Sequence, residues 1–160
     1  MAINQPLPSE LLSVANHAWE RLIELNPQLL EQLSPSQQQQ TQQAFALSDF
    51  IASSCISQPQ LLLDIWQQDL LNSALDETAM RAQLSEQLAP QLSDDGAKKV
   101  LRQFRRQQMV LIAWRDLLLQ QPVTDSFAQV SAVADSCVDS ANQWLYQRCC
   151  AESGTPMDAE

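Results

Sequence analysis

The chain has 160 residues, of which 45% are hydrophobic, so it can fold around a core of its own and is not expected to be disordered. Its formal net charge of −10 disfavours nucleic acid and anionic membranes as partners. With 2 glycines the chain cannot form a Gly-rich phosphate-binding loop, and 24 leucines against 13 valines and isoleucines favour helices over strands.

Nothing in the sequence predicts export or membrane insertion. The first residues lack the positive and apolar regions of a signal peptide. The longest apolar run, residues 109–114, is far shorter than the roughly 18 residues that a membrane span requires. We therefore expect a cytoplasmic protein whose cysteines are reduced, buried thiols, namely Cys55, Cys137, Cys149 and Cys150.

Prolines and capping residues divide the first part of the chain into short helices. Ser9 is the predicted N-cap of a helix that ends at Asn26, because a residue before proline avoids the α region. A short turn is expected at residues 28–33. The glutamine tract at residues 37–43 is interpreted as the solvated start of the next helix. The apolar stripe predicted for the first helix comprises Leu11, Leu12, Ala15, Trp19, Leu22 and Ile23.

Three further helices are predicted before residue 90. Ser48 or Asp49 caps the first of them, Pro59 fits the first turn of the second, and Asp76 with Glu77 starts the third. The apolar residues expected to face the core are Phe50, Ile51, Cys55 and Ile56 in the first, Leu61, Leu62, Leu63, Ile65 and Trp66 in the second, and Met80, Leu84 and Leu88 in the third.

Two long helices are predicted at residues 94–120 and 124–152, separated by Pro122. In the first, spacings of three and four place on one side Leu101, Phe104, Gln108, Leu111, Arg115 and Leu118. The second is capped by Thr124 or Asp125 and stopped by Gly154. The residues of the second helix available for burial are Phe127, Val130, Val133, Val138, Trp144, Leu145 and Cys149.

No strand is predicted, because no alternating apolar and polar run of useful length occurs. The patterns together predict an all-α fold, an irregular helical bundle of about six helices. Residues 1–152 are expected to form a single helical domain, and residues 153–160 are expected to be a linker.

Few residues point to catalysis or metal binding. His17 is the single histidine, and adjacent Cys149 and Cys150 lack the electropositive setting of a reactive thiol. Asp135 and Asp139 lie one helical turn apart and would need further carboxylates to hold Mg²⁺. We therefore interpret all of these residues as structural or as solvated surface groups.

A basic stretch stands out against the acidic composition. Five of the nine basic residues occur between residues 98 and 106. On a helix, Lys98, Arg102 and Arg105 share one side, and Arg106 lies one turn beyond Arg102. These four residues form a candidate contact face for phosphate or carboxylate groups. The alternative, neutralisation by nearby acidic residues, is the commoner fate of a surface charge cluster.

Three stretches together resemble one known family, with the same order and spacing. They are LSDFI at residues 47–51 with Gln-Pro at 58–59, LRQFRRQQMVLIAWRDL at 101–117, and WLY at 144–146 with Cys-Cys at 149–150 and Gly-Thr-Pro at 154–156. The family is the glutamine synthetase adenylyltransferase, also called the adenylyl-removing enzyme. The middle stretch is the most specific of the three.

The resemblance implies a large bifunctional bacterial regulator with two nucleotidyltransferase-like halves. One half transfers AMP from ATP to glutamine synthetase, and the other removes it by phosphorolysis. Mg²⁺ and ATP are the implied cofactors of the whole enzyme. The PII signalling protein, glutamine synthetase and the chain's own downstream nucleotidyltransferase domain are the implied partners.

This sequence departs from the family in one important respect. The Gly-x-Gly-Lys loop and the Ser-Asp-x-Asp pair that follow Gly-Thr-Pro in the family do not occur here. No catalytic, cofactor-binding or metal-binding residue can therefore be carried over, and we expect a non-catalytic helical segment that precedes the adenylyl-removing domain. The alternative is a stand-alone helical interaction module; a helical metal-carboxylate enzyme would need Glu-x-x-His pairs that this chain lacks.

Overall fold

The computed structural model describes residues 8–155, and every regular element in that range is an α-helix. The all-α prediction is confirmed. The described helices are eight rather than about six, partly because the turn expected at 28–33 contains one helical turn. They are α1 (Ser9–Leu25), α2 (Leu29–Gln32), α3 (Pro35–Leu47), α4 (Asp49–Ser57), α5 (Pro59–Gln67), α6 (Glu77–Gln87), α7 (Asp94–Leu118) and α8 (Val123–Ser153).

The chain divides into two compact units. The first joins the described part of Met1–Ala74 to Met109–Phe127, and the second joins Leu75–Gln108 to the described part of Ala128–Glu160. The single domain expected at 1–152 stays a prediction. The expected linker comprises residues 153–160, and residues 156–160 of it lie outside the described range. None of the helices in residues 8–155 is long and apolar enough to cross a membrane.

The glutamine tract is helical because two reciprocal hydrogen bonds cap the start of α3. The Ser34 hydroxyl accepts a hydrogen bond from the Gln37 backbone N–H at 3.3 Å, and the Gln37 side chain accepts one from the Ser34 N–H at 2.8 Å. This reciprocal capping box satisfies donors that a helix start leaves unpaired. Thr41 is buried in α3, where its hydroxyl donates to the Gln37 carbonyl and accepts from the Trp66 indole. The expectation of a helix here is confirmed.

Three details of the first unit differ from the sequence prediction. The predicted N-cap Ser9 is already the first residue of α1, and Leu11 and Leu12 are exposed because the buried stripe of α1 is narrower, comprising Ala15, Trp19 and Leu22. Phe50 was expected to be buried but is 44% exposed. Phe50 lies about 100° around α4 from Ile51, which takes the position in the core.

The core of the first unit is built on two aromatic pairs. Trp19 and Phe45 have ring centroids 6.4 Å apart, and Trp66 meets Trp114 edge to face at 5.7 Å. Edge-to-face contact places the positive rim of one ring against the negative face of the other. Leucine, isoleucine and alanine side chains of α1, α3, α4, α5 and α7 fill the space around these rings. The Leu-rich helix after Pro59 is therefore a core helix, as predicted.

Arg115 is a charged residue inside this core. Its side chain is buried, its Nε donates to the Leu71 carbonyl at 2.9 Å, and its Nη2 donates to the Leu70 carbonyl at 2.6 Å. Burial lowers the pKa of the Arg115 guanidinium, yet arginine keeps its proton in proteins. The guanidinium thus fastens the loop after α5 to helix α7.

In the second unit, α6 is joined to α8 by polar contacts at both ends. The Asp76 carboxylate caps α6 by accepting from the Ala79 N–H at 2.8 Å. Arg81 forms an ion pair with Asp139 of α8, and the Trp144 indole donates to the Ala89 carbonyl at 3.1 Å. The predicted apolar face of α6 is confirmed, since its three members, Met80, Leu84 and Leu88, are buried.

The two long helices occur close to their predicted bounds. In α7 the expected stripe is buried from Phe104 to Leu118, and Leu101 at its start is half-buried. Helix α8 begins at Val123, so the expected caps Thr124 and Asp125 lie inside it, and the Asp125 N–H bonds to the Pro122 carbonyl. Gly154 has a φ of +86° and its N–H donates to Cys150, which confirms the predicted C-terminal stop.

The first prediction concerns the Arg115 guanidinium. The substitution Arg115→Met should lower the free energy of unfolding by about 2–4 kcal/mol, because it leaves carbonyls of the 70–71 loop without a donor. Urea unfolding followed by circular dichroism measures this loss. Arg102→Met, on the exposed side of α7, is the control and should change stability by less than about 0.5 kcal/mol. Equal effects of the two substitutions would contradict the role of Arg115.

The second prediction concerns thiol reactivity. Burial raises the pKa of Cys55 to about 12, so at about pH 8 only about one molecule in 10⁴ carries the reactive thiolate. Iodoacetamide should therefore modify exposed Cys149 well before Cys55, and Cys55 should react readily only in denaturing urea. Peptide mass spectrometry measures both rates in the same sample. Similar rates for Cys55 and Cys149 in the native protein would contradict the described core.

Candidate functional site

The predicted contact face lies on the exposed side of α7 within the second unit. Lys98, Arg102, Arg105 and Arg106, here called the basic face, are all exposed, and Lys99 is exposed beside them. On the opposite side of the same helix, Phe104 and Gln108 are buried. The helix thus directs these cationic groups away from its buried side.

One member of the basic face forms an ion pair with an acidic neighbour on the same helix. Lys98 Nζ lies 3.6 Å from an Asp95 carboxylate oxygen, and both side chains are largely exposed, so this ion pair is weak. Guanidinium groups present several N–H donors in a flat fork that matches carboxylate and phosphate oxygens. The arrangement can therefore bind an anionic surface, and no described contact shows that it does so.

A second polar cluster joins the start of α7 to the end of α8. Arg148 forms an ion pair with Asp94, lies 3.5 Å from Glu152, and stacks over the Trp144 ring at 4.9 Å. The hydrogen bond that Arg148 donates to the Asp94 carboxylate raises the pKa of the Arg148 guanidinium. Sequence reasoning missed this cluster, since Asp94 and Arg148 are far apart in the chain. The spacing of one helical turn, from Trp144 to Arg148 and from Arg148 to Glu152, could have suggested the part of the cluster that lies within α8.

The residues considered for chemistry are not brought together. His17 is exposed on α1, Asp135 is exposed on α8, and Asp139 is paired with Arg81. Across residues 8–155, no group of three histidine, cysteine, aspartate or glutamate side chains could hold a metal ion. The described residues therefore offer no cluster of carboxylates of the kind that binds Mg²⁺.

Each unit of the described chain contains a groove. The larger, about 740 Å³, lies beside the α1–α2 turn and the start of α5, between Asn26, Gln28, Gln60 and Leu63. The smaller, about 180 Å³, is lined mainly by uncharged side chains of α6 and α8 around Trp144. Neither groove is lined by a charged side chain, so neither resembles a nucleotide-phosphate site.

Helix α8 departs most clearly from the sequence prediction. Of the seven residues expected to be available for burial, Val133 and Trp144 are buried; the other five are exposed, namely Phe127, Val130, Val138, Leu145 and Cys149. The buried face of α8 in the second unit instead consists of Val133, Trp144 and two serines, Ser136 and Ser140. Because serine side chains are small, a neighbouring helix can pack closely against them. The buried face of α8 is therefore less apolar than the sequence pattern predicted.

Comparison with known proteins gives a single family. A sequence model of glutamate-ammonia ligase adenylyltransferase matches residues 38–160. The bifunctional glutamine synthetase adenylyltransferase/adenylyl-removing enzyme of Shewanella loihica is 36% identical over 98% of this chain and 16% of its own length. The enzyme of the same name from Psychromonas ingrahamii is also 36% identical, over 95% of this chain and 16% of its own length.

A third relative agrees over a shorter stretch. The enzyme of the same name from Pasteurella multocida is 38% identical over 76% of this chain and 12% of its own length. The chain therefore spans about 16% of the length of the first two relatives. The resemblance carried by the three sequence stretches is confirmed, and the chain belongs to the glutamate-ammonia ligase adenylyltransferase family.

Proposed function

We propose that this chain is a non-catalytic, N-terminal helical segment of a bifunctional enzyme that adenylylates and deadenylylates glutamine synthetase. The observation that carries the proposal is the pattern of similarity: nearly the whole chain matches relatives of that name, but over only 16% of their length. A segment of this size and helical architecture can support a catalytic domain without containing one. ATP and Mg²⁺ would bind to other parts of the enzyme.

The sequence itself supports a role without catalysis. Phosphoryl transfer needs a cradle for phosphate and carboxylates for the metal, and these residues contain no Gly-x-Gly-Lys loop and no Ser-Asp-x-Asp pair. The role we propose is mechanical support of the adenylyl-removing domain. Location in the cytoplasm belongs to the same proposal and agrees with four cysteines that are all free thiols.

The basic face is the proposed contact surface of this segment. The chain carries a net charge of −10, so four exposed cations on one helix form a local exception to its field. Such a surface would recognise carboxylates on an acidic partner, either another domain of the enzyme, glutamine synthetase or the PII signalling protein. Charge complementarity of this kind sets the rate of encounter and the register of docking.

The third prediction tests the absence of catalysis. The purified 160-residue chain, incubated with adenylylated glutamine synthetase, phosphate and Mg²⁺, should release neither ADP nor AMP. Chromatographic detection of nucleotide measures the release. The full-length enzyme, assayed in parallel, confirms that the substrate is competent. Release of either nucleotide by the short chain at a rate above the buffer blank would overturn the proposal.

The fourth prediction tests the basic face in the full-length enzyme. The substitution Arg102→Glu should raise the KM for adenylylated glutamine synthetase, or lower the deadenylylation rate, by about threefold or more, because it reverses one contact charge. Added salt should reduce the difference from the unsubstituted enzyme. Arg21→Glu, an equally large charge change at an exposed position of α1, is the matched control. Unchanged kinetics with unchanged folding in the Arg102 variant would remove the basic face from the proposal.

A further inference from the structure

An exposed apolar row runs along α8 within the second unit. It consists of Val130, Ala134, Val138 and Leu145, whose spacings of four, four and seven residues keep them within about 80° on the helix. We infer that this apolar row is a docking surface for the remaining part of the same enzyme polypeptide. The inference rests on the proposed function, because it requires that the chain be a segment of that larger enzyme.

The exposure of the row is considerable. Val138 is 66% exposed and Leu145 is 51% exposed, on the longest helix described. These side chains lie about 120° around the helix from the buried residues Val133, Ser140 and Trp144. Val138 and Leu145 therefore lie on a face separate from the core, whereas Val130 borders the core, about 40° around the helix from Trp144. Contiguous apolar surface of this kind on a long helix is typical of an interface.

Charge indicates which surface covers the row. Asp135 flanks it, and Glu152 continues its line towards the end of α8. Arg148 is the single cation in the described sequence of α8 and is already engaged by Asp94 and Glu152. A copy of α8 brought against the row would therefore bring a second Asp135 carboxylate, while its only cation, Arg148, is already engaged by Asp94 and Glu152. The fitting surface has an apolar centre and lysine or arginine at its rim.

The length of the relatives supplies the occupant. The matched segment accounts for only 16% of the relatives' length, so most of the enzyme lies outside it. A polypeptide segment in the same molecule is present at a high effective concentration and needs no separate encounter. We therefore assign the row to the remainder of the enzyme rather than to a second copy.

Hydroxyl-radical footprinting of the full-length enzyme tests this assignment. Labelling at each residue is compared between the native and the urea-unfolded enzyme. Val138 and Leu145 should be protected about tenfold or more, far beyond what half-exposed side chains would show, whereas neighbouring Tyr146, which is 53% exposed and points to another side of α8, should be labelled readily. Labelling of Leu145 to the same relative extent as Tyr146 would overturn the inference.

A pair of matched variants provides the second arm. Leu145→Asp and Tyr146→Asp introduce the same charge at adjacent positions of nearly equal exposure. In the full-length enzyme, Leu145→Asp should abolish the protection of Val138, while Tyr146→Asp should preserve it. Equal effects of the two variants on Val138 would count against docking through the row. Since both positions are exposed in the segment, failure of the helix to fold is expected from neither.

The remaining outcomes separate this inference from the proposed function. Protection of Val138 that is lost on 100-fold dilution, together with a halving of the mass in sedimentation, would show a second copy and overturn the assigned occupant. The row could be protected in the unsubstituted enzyme while the Leu145→Asp variant deadenylylates glutamine synthetase at an unchanged rate. That result would support docking and contradict the supporting role. Absence of protection, with a defect still caused by Arg102→Glu, would overturn docking and leave the supporting role in place.

Discussion

A fold built from short helices has many loops, and the backbone N–H and carbonyl groups of those loops need hydrogen-bond partners. In the first unit the buried guanidinium of Arg115 supplies such a partner. A loop packed against a core has carbonyls that water cannot reach, and each one left unpaired costs stability. Arg115 donates to two successive carbonyls, those of Leu70 and Leu71. In the second unit the Trp144 indole does the same for Ala89. In both units a side chain of a long helix fixes a loop that follows a short one.

The sequence predicts most of the helices because periodicity and capping are local. Ser48 and Asp76 each hold a backbone N–H three residues on, as their residue type suggests. Even the polar members of the α7 stripe, Gln108 and Arg115, were placed correctly on the buried side by spacing alone. What spacing cannot supply is the identity of the groups they meet, since the partners of Arg115 lie more than 40 residues earlier in the chain.

Helix α8 shows where local pattern fails. It carries two faces that could serve as a core, one rich in valine and leucine and one containing Val133, Trp144 and serines. The core uses the second, because Ser136 and Ser140 are small enough to be buried and the Trp144 indole finds a carbonyl acceptor. A helix embedded in a larger assembly needs apolar residues on more than one side. The number of apolar residues in a helix therefore predicts which side chains are buried only on the faces that pack against other helices of this chain.

The family motif at residues 101–117 combines two kinds of residue with different consequences. Trp114 is fully buried and its ring packs against Trp66, so the core accounts for its presence. Arg102 and Arg105 are exposed, and the described core does not use them. A structural explanation of the motif therefore covers its tryptophan and leaves its exposed arginines unexplained. Because exposed positions accept most residues at little cost in stability, the stability of the described core does not by itself select arginine there.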